Sequence, residues 1–143
     1  QATGEYITYS KQKDPMLCTP EMSKRSRAIE MWAAIKYLGK KGIDEMVTGF
    51  HLRAKQLENG LRSNSFTIIN EVVFNQVLVS CGNPELTKST LLNLQRSGEI
   101  WCSGSTWKEE PVIRISICSW ATTKEDIDRT IVAFKKARIT ASA

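Results

Sequence analysis

The sequence lacks the motifs that would place it in the commonest metal, nucleotide or membrane classes. It has one histidine, and none of its four cysteines forms a CxxC pair, so no zinc site is expected. It contains neither GxGxxG nor GxxxxGK[ST], the glycine-rich loops that hold phosphates. No apolar run approaches the roughly 20 residues that span a bilayer, and no signal-peptide core is found in Gln1–Pro20.

The charge and the cysteines point to an ordinary cytoplasmic domain. The net charge is +5, from 20 basic and 15 acidic residues. The basic residues are dispersed, and those late in the chain, such as Lys136 and Arg138, are interpreted as solvated helix faces rather than a nucleic-acid surface. Cys81, Cys102 and Cys118 lie in or at the ends of apolar runs, which predicts buried, reduced thiols and a cytoplasmic location.

Hydrophobic spacing predicts two consecutive helices early in the chain. The first begins near Ser26 and ends at Gly39, because Ala28, Met31, Trp32, Ile35 and Leu38 recur at helical spacing. The second begins at Gly42. Its narrow apolar stripe contains seven residues: Ile43, Met46, Val47, Phe50, Ala54, Leu57 and Leu61.

Strands and two further helices are predicted in the remainder. The predicted strands are Phe66–Asn70, Val73–Cys81, Ile100–Ser103, Thr106–Glu109 after a turn at Gly104, and Val112–Cys118. The predicted helices are Glu85–Ser97, which follows the turn Gly82-Asn83-Pro84 and ends at Gly98, and Lys124–Ala137, which a Thr122/Glu125 capping box opens.

This order of elements predicts an α+β domain with a small, mostly antiparallel sheet and helices packed on one face. Residues 1–20 are interpreted as a lead-in segment and residues 21–143 as one domain. Because the chain begins with Gln1, we expect a fragment or a processed product of a longer protein.

No complete catalytic apparatus is found in the chain. A nucleophilic triad would have to use His51, which lies beside an apolar helical stripe with no nucleophile elbow. The carboxylates Asp126 and Asp128 lie at a predicted helix start, where the helix dipole favours negative charge without any function. We therefore expect no catalytic, cofactor-binding or metal-ligating residue in this chain.

Arg114 is the residue whose position is hardest to explain by a structural role alone. It lies in an apolar strand, where alternation places Arg114, Ser116 and Cys118 on one face and three isoleucines on the other. An arginine in a strand is costly unless it meets a carboxylate or phosphate, which its planar fork can bind in a bidentate way. An exposed sheet face or a structural salt bridge remains the alternative. Trp107 is interpreted mainly as a packing residue, and secondarily as a wall of a substrate channel.

Several segments in order resemble the C-terminal part of the pyridoxal-phosphate-dependent amino acid decarboxylases. This is the fold-type-I group that includes the aromatic amino acid, glutamate and diaminobutyrate enzymes. The similar segments are Ser26–Gly39, Gly42-Ile43, Phe74–Val79, Gly104–Trp107 with Arg114-Ile115-Ser116, and Trp120–Asp128.

The resemblance implies a carboxy-lyase that acts on an amino acid, with pyridoxal 5'-phosphate bound by an upstream domain. That family's His-Lys pair, which supplies the Schiff-base lysine, does not occur here. The resemblance implies a substrate-side role for Arg114, since the matching arginine of the glutamate branch meets a substrate carboxylate. It also implies a homodimeric parent with no nucleic-acid or membrane partner, and a fragment that is inactive alone.

Two other functions remain open from the sequence. One is a free-standing α/β module that binds a small ligand or nucleic acid without catalysis. The other is a regulatory or dimerising domain that has no ligand.

Overall fold

A computed structural model describes residues 26–142 of the chain. The predicted lead-in segment, residues 1–20, lies outside the described residues. Within the described part the elements are α1 (Ala28–Arg62), β1 (Thr67–Ile68), β2 (Gln76–Ser80), α2 (Pro84–Ser97), β3 (Ser103–Trp107), β4 (Glu110–Ser116) and α3 (Lys124–Ser142).

Helix α1 contains the predicted break at Gly39. The backbone there has φ 62° and ψ −175°, a left-handed conformation that interrupts the helix and that favours glycine. The chain divides into two compact units at Lys40, directly after this break. In the first unit, Met31, Trp32 and Ile35 are half-exposed or more, so their apolar spacing forms a helix face that the described residues leave open.

The strands form one antiparallel sheet in the order β1-β2-β4-β3. Its inner face joins the helices in a single core, in which Phe134, Leu57, Leu61 and Ile113 are fully buried. The predicted α+β class, with helices on one face of a small antiparallel sheet, is therefore confirmed. The seven-residue stripe of α1 is buried only toward its end, because Ala54, Leu57 and Leu61 reach the core while Val47 stays exposed.

The predicted pair of strands around Gly104 is wrong. A single strand, β3, runs through Gly104, which pairs with Ile113. A Cβ at this position would lie 3.0 Å from Cδ2 of Leu91 on α2, so the glycine permits close helix–sheet packing rather than a turn. The turn lies at Lys108 and Glu109, whose φ angles are 48° and 70°.

The two strands before α2 are shorter than predicted, and β4, which follows α2, is displaced along the sequence. The Asn70 side chain ends β1, because its Oδ1 accepts from the backbone N–H of Leu78 at 2.8 Å and its Nδ2 donates to the carbonyl of Gln76 at 3.1 Å. This side chain replaces main-chain pairing, so β2 begins only at Gln76. Strand β4 begins at Glu110 and ends at Ser116, two residues earlier at each end than the predicted Val112–Cys118.

The helix starts follow their predicted signals with one correction at α3, and α3 runs to Ser142, five residues beyond its predicted end at Ala137. Asn83 caps α2 by accepting from the backbone N–H of Leu86 at 2.8 Å, and Gly98 ends it with φ 71°. Helix α3 is capped by Thr123 and Asp126 rather than by Thr122 and Glu125. The Thr123 N–H donates to Asp126 Oδ2 at 2.9 Å, and the Asp126 N–H donates to Thr123 Oγ1 at 3.2 Å.

Candidate functional site

Arg114 lies in β4 on the sheet face opposite the helices. Its strand neighbours Ile113 and Ile115 are buried in the core, whereas Arg114 is exposed, as the alternation predicted. It pairs across the sheet with Leu78 of β2 and Ser103 of β3. Its Nη2 donates a long hydrogen bond of 3.5 Å to the Ser103 hydroxyl. The guanidinium is thus held loosely and most of its donors are open.

No carboxylate within residues 26–142 forms an ion pair with Arg114. The least exposed carboxylate in a described ion pair is that of Glu58, which pairs with Lys55 and with Arg62, both on α1. Burial acts to raise the pKa of Glu58, but the hydrogen bonds and charges of those two cations outweigh it and hold the pKa below its usual value. The described residues therefore give no structural salt bridge for Arg114.

The surroundings of Arg114 on the outer face are both apolar and polar. Its direct partners across the sheet are Ser103 and the buried Leu78, its neighbours along β4 on this face are the buried Val112 and the exposed Ser116, and Glu110 lies at the far end of β4. Among the described strand residues of this face, Arg114 is the one basic side chain. The face thus presents a single open cation beside the serine hydroxyls and the apolar side chains of Leu78 and Val112, which suits a carboxylate ligand.

Trp107 shares this face but lies away from Arg114. It pairs with Glu110, four residues before Arg114 along β4, which corresponds to about 13 Å at the rise of a strand. Its ring is 44% exposed and borders a separate cavity, which Lys108, Pro84 and Pro111 also line. The structure therefore does not bring the two predicted substrate residues together.

The thiols are only partly as predicted. Cys81 and Cys102 are buried, and burial raises the pKa of Cys102 to about 11. Burial also raises the pKa of Cys81, although Thr90, Arg138 and Thr87 oppose that shift. The prediction is wrong for Cys118, which is exposed because the alternation of β4 continues past its end and turns Ile117 inward instead.

The remaining candidates have structural roles. His51 donates from Nδ1 to the carbonyl of Phe74 at 3.1 Å and so joins α1 to the segment before β2. Asp126 caps α3, and hydrogen bonds from the Thr123 backbone and hydroxyl lower the pKa of its carboxyl. Within residues 26–142, no group of three His, Cys, Asp or Glu residues could hold a metal ion. No helix in the same range has the length and hydropathy needed to cross a membrane.

Sequence reasoning missed the exposed aromatic residues at one end of the sheet. Phe74, Trp101 and Trp120 expose 44%, 82% and 83% of their surface. They lie in short segments outside the strands and helices, where no periodicity separates an inner face from an outer one. The polar neighbour of Trp120, Ser119, is a signal that could have indicated exposure, whereas Trp101 lies between the apolar Ile100 and Cys102.

Comparison with known proteins gives a consistent set of relatives. No family model matches the chain. Histidine decarboxylase of Mus musculus is 32% identical over 110 residues, which is 76% of this chain and 17% of that protein. The chain thus spans less than a fifth of that relative.

Solved structures share the fold. The crystal structure of Oryza sativa TDC with PLP and tryptamine has a TM-score of 0.81 at 14% identity, over 98% of this chain and 32% of that one. The glutamate decarboxylase domain of a Vibrio parahaemolyticus diaminobutyrate-pyruvate transaminase and L-2,4-diaminobutyrate decarboxylase has a TM-score of 0.63 at 17% identity, over 79% of this chain and 26% of that one. The sequence match and the shared fold agree, and the chain is similar to the C-terminal part of the pyridoxal-phosphate-dependent group II amino acid decarboxylases.

Proposed function

We propose that the chain is the C-terminal domain of a pyridoxal-phosphate-dependent carboxy-lyase that removes carbon dioxide from an amino acid. The observation that carries this proposal is the 32% identity to a histidine decarboxylase over 110 residues. Nothing in the comparisons supports the alternative of a free-standing binding module. Because the chain spans 17% of that relative, the proposed activity belongs to a longer polypeptide, which we call the parent.

The described residues do not form a site for the cofactor. A Schiff-base lysine must be sheltered and close to groups that hold the phosphate and the ring. The lysines of residues 26–142 are surface residues, and the least exposed of them, Lys55, is paired with Glu58. We propose that an upstream domain of the parent binds pyridoxal 5'-phosphate, and that the parent is a cytoplasmic homodimer.

The chain alone is expected to be catalytically silent. Pyridoxal phosphate added to the purified chain should form no stoichiometric adduct, because no described lysine is buried or enclosed by groups that could hold the phosphate and the ring. The measurement is the absorbance of the Schiff base, followed by borohydride reduction and peptide mass spectrometry. A single lysine trapped in stoichiometric yield would contradict the proposed division of roles.

Within the parent, we propose that Arg114 contacts the amino acid substrate. Its open guanidinium has no carboxylate partner in the described residues, and it is the one basic side chain among the described strand residues of its face. If Arg114 gripped the departing carboxylate tightly, it would stabilise the ground state more than the transition state and slow the reaction. A positioning role, or the binding of a distal carboxylate, is therefore the better use of this charge. The placement of Trp107 as a wall of the same channel stays a secondary proposal.

Replacing Arg114 in the parent tests this role directly. Arg114→Met should leave the fold intact, because the side chain does not enter the core. It should lower kcat/KM by about 10- to 100-fold, the equivalent of roughly 1–3 kcal/mol for a charge-assisted hydrogen bond. Arg114→Lys should recover only part of the loss, because an ammonium lacks the bidentate fork.

The matched control is Lys135→Met, which removes an exposed cation from α3. Steady-state decarboxylation and thermal unfolding are measured on all three variants. Unchanged kinetics with a lowered melting temperature for Arg114→Met would show a structural ion pair with a part of the parent, and the substrate role would be wrong.

A further inference from the structure

Helices α2 and α3 line a groove of about 680 Å³. This volume lies within the range of small-molecule sites in proteins, which is about 300–1,000 Å³. Arg114 is not among the lining residues, because it lies on the sheet face opposite the helices. The groove is therefore a separate feature from the candidate substrate site.

Two contacts across the groove give the relative direction of its helices. Asn93 Nδ2 on α2 donates to the Ala137 carbonyl on α3 at 3.1 Å. Arg129 Nη2 on α3 forms an ion pair at 2.8 Å with Oε2 of Glu99, which directly follows the cap of α2. A later residue of α2 thus meets an earlier residue of α3, so the two helices run antiparallel.

The wall that α3 contributes is one continuous helix face. Its residues recur three or four positions apart, as neighbours on a helix surface do. They are Arg129, Val132, Ala133, Lys136, Ala137 and Thr140. Ala133 and Ala137 are buried at the floor, and Val132 is 48% exposed along the side. The groove therefore offers apolar surface to a ligand in addition to its charged groups.

Two open cations lie in the middle of the groove, Arg96 on α2 and Lys136 on α3. Both are exposed, and neither side chain forms a hydrogen bond or an ion pair within residues 26–142. Because the helices are antiparallel, Arg96 lies across from Ala133, between the two bridging contacts. Lys136 follows Ala133 by three residues, or about 4.5 Å along the helix. The two cations can therefore reach the same ligand group.

The two carboxylates of the groove are already occupied. Glu99 is compensated by its ion pair with Arg129. Asp128 Oδ1 accepts a hydrogen bond at 2.9 Å from Nε2 of Gln56 on α1. Asp128 also precedes Lys136 by eight residues, which corresponds to about 12 Å along α3. The uncompensated charge in the middle of the groove is thus positive, which favours an anionic ligand.

We infer that this groove binds a small organic phosphate ester. Its phosphate lies between Arg96 and Lys136, and its apolar part lies on Val132 and Ala133. A phosphate offers three oxygens and close to two negative charges, so it can accept from the arginine fork and from the lysine ammonium together. A single carboxylate has one charge and two oxygens to share between the same donors. The site belongs to this chain and does not depend on the proposed decarboxylation.

Titration of the ¹⁵N-labelled chain with phenyl phosphate tests the site. The amide signals of Ala133 and Ala137 should shift to saturation, because both residues form the floor of the groove. Inorganic phosphate should bind about tenfold more weakly because it buries no apolar surface. Benzoate and phenol carry the same ring with one charge and with none, and both should bind more weakly than phenyl phosphate.

Charge-removing variants locate the phosphate. Arg96→Gln and Lys136→Gln should each weaken phenyl phosphate binding about tenfold, the scale of one hydrogen bond to a charged group. The matched control is Lys135→Gln, which removes an equal charge from α3 at an exposed residue that does not line the groove. It should change the affinity less than about twofold, because exposed charges outside the site are screened. Thermal unfolding of each variant verifies that it folds.

A fourth variant locates the apolar part of the ligand. Val132→Ser should weaken the binding of phenyl phosphate and leave the binding of inorganic phosphate unchanged, because only the ester has a ring to pack on this residue.

Three results would overturn the inference. The absence of saturation in the millimolar range would show that the groove is no binding site. An equal loss of affinity in Lys135→Gln and in both groove variants would show general attraction of anions to a basic surface. Binding of benzoate or phenol as tight as that of phenyl phosphate would show that the groove does not select a phosphate.

Discussion

Phe134→Ala is expected to destabilise the chain by about 3–5 kcal/mol, the usual cost of removing a buried aromatic ring. Phe134 is completely buried on α3. Its ring meets Phe66 edge to face at a centroid distance of 5.6 Å and an angle of 89°. Alanine would remove both the apolar burial and this contact, and would leave a cavity between α3 and the end of α1.

Urea unfolding followed by circular dichroism measures the effect. Phe134→Leu should cost less than Phe134→Ala because it fills more of the cavity, and the control Val132→Ala should cost little because Val132 is 48% exposed. A domain is commonly stable by only about 5–15 kcal/mol, so Phe134→Ala should remove a large share. If Phe134→Ala and Val132→Ala were equally stable, the core assigned to α3 would be wrong.

The sequence predicted the parts of the fold that follow a simple period. Helical spacing predicts Ile127, Ile131 and Phe134 as the inward positions of α3; Ile127 and Phe134 are buried and Ile131 is half-buried. The alternation of β4 placed three isoleucines inside and Arg114 outside, because a strand buried on one face must repeat every two residues. These predictions needed only local geometry.

The details that failed depend on contacts between distant residues. The Asn70 side chain ends β1 by pairing with the backbone of β2, and no pattern near Asn70 shows that partner. Gly104 was interpreted as a turn because glycine favours turns, but Leu91 of α2 lies above it and excludes a larger side chain. In both places a tertiary contact decided the local structure.

The candidate site was likewise predictable only where local alternation determines which face a residue occupies. The face of Arg114 followed from alternation, but its separation from Trp107 required the register of β3 against β4. A sheet register is set by the whole fold, so a single sequence does not give it.

Arg138 shows the same limit for a charged residue. Its sequence context predicts a solvated side chain, but the side chain contacts other parts of the fold. Its Nη1 donates to the carbonyl of Ser65 at 2.9 Å and its Nη2 donates to the carbonyl of Asn64 at 2.8 Å. Its guanidinium also lies 4.0 Å from the ring centroid of Phe66. One side chain of α3 thus binds the exit of α1, where Ser65 adopts a φ of 61°.

Arg138→Met is therefore expected to cost about 3 kcal/mol, because it removes two charge-assisted hydrogen bonds and a cation–π contact while keeping the aliphatic stem. The lost bonds would leave carbonyls at the end of α1 without a donor, next to the negative end of the helix dipole. Arg138→Lys should recover less than half of the loss, because one ammonium does not reproduce the fork that reaches both carbonyls.

The control is Lys136→Met, two residues earlier on α3 and exposed, which should change the free energy of unfolding by less than about 0.5 kcal/mol. Urea unfolding of the three variants gives the comparison. Equal stability of Arg138→Met and Lys136→Met would show that Arg138 is a surface charge after all, and that the packing of Phe66 against Phe134 holds α3 to the end of α1 without it.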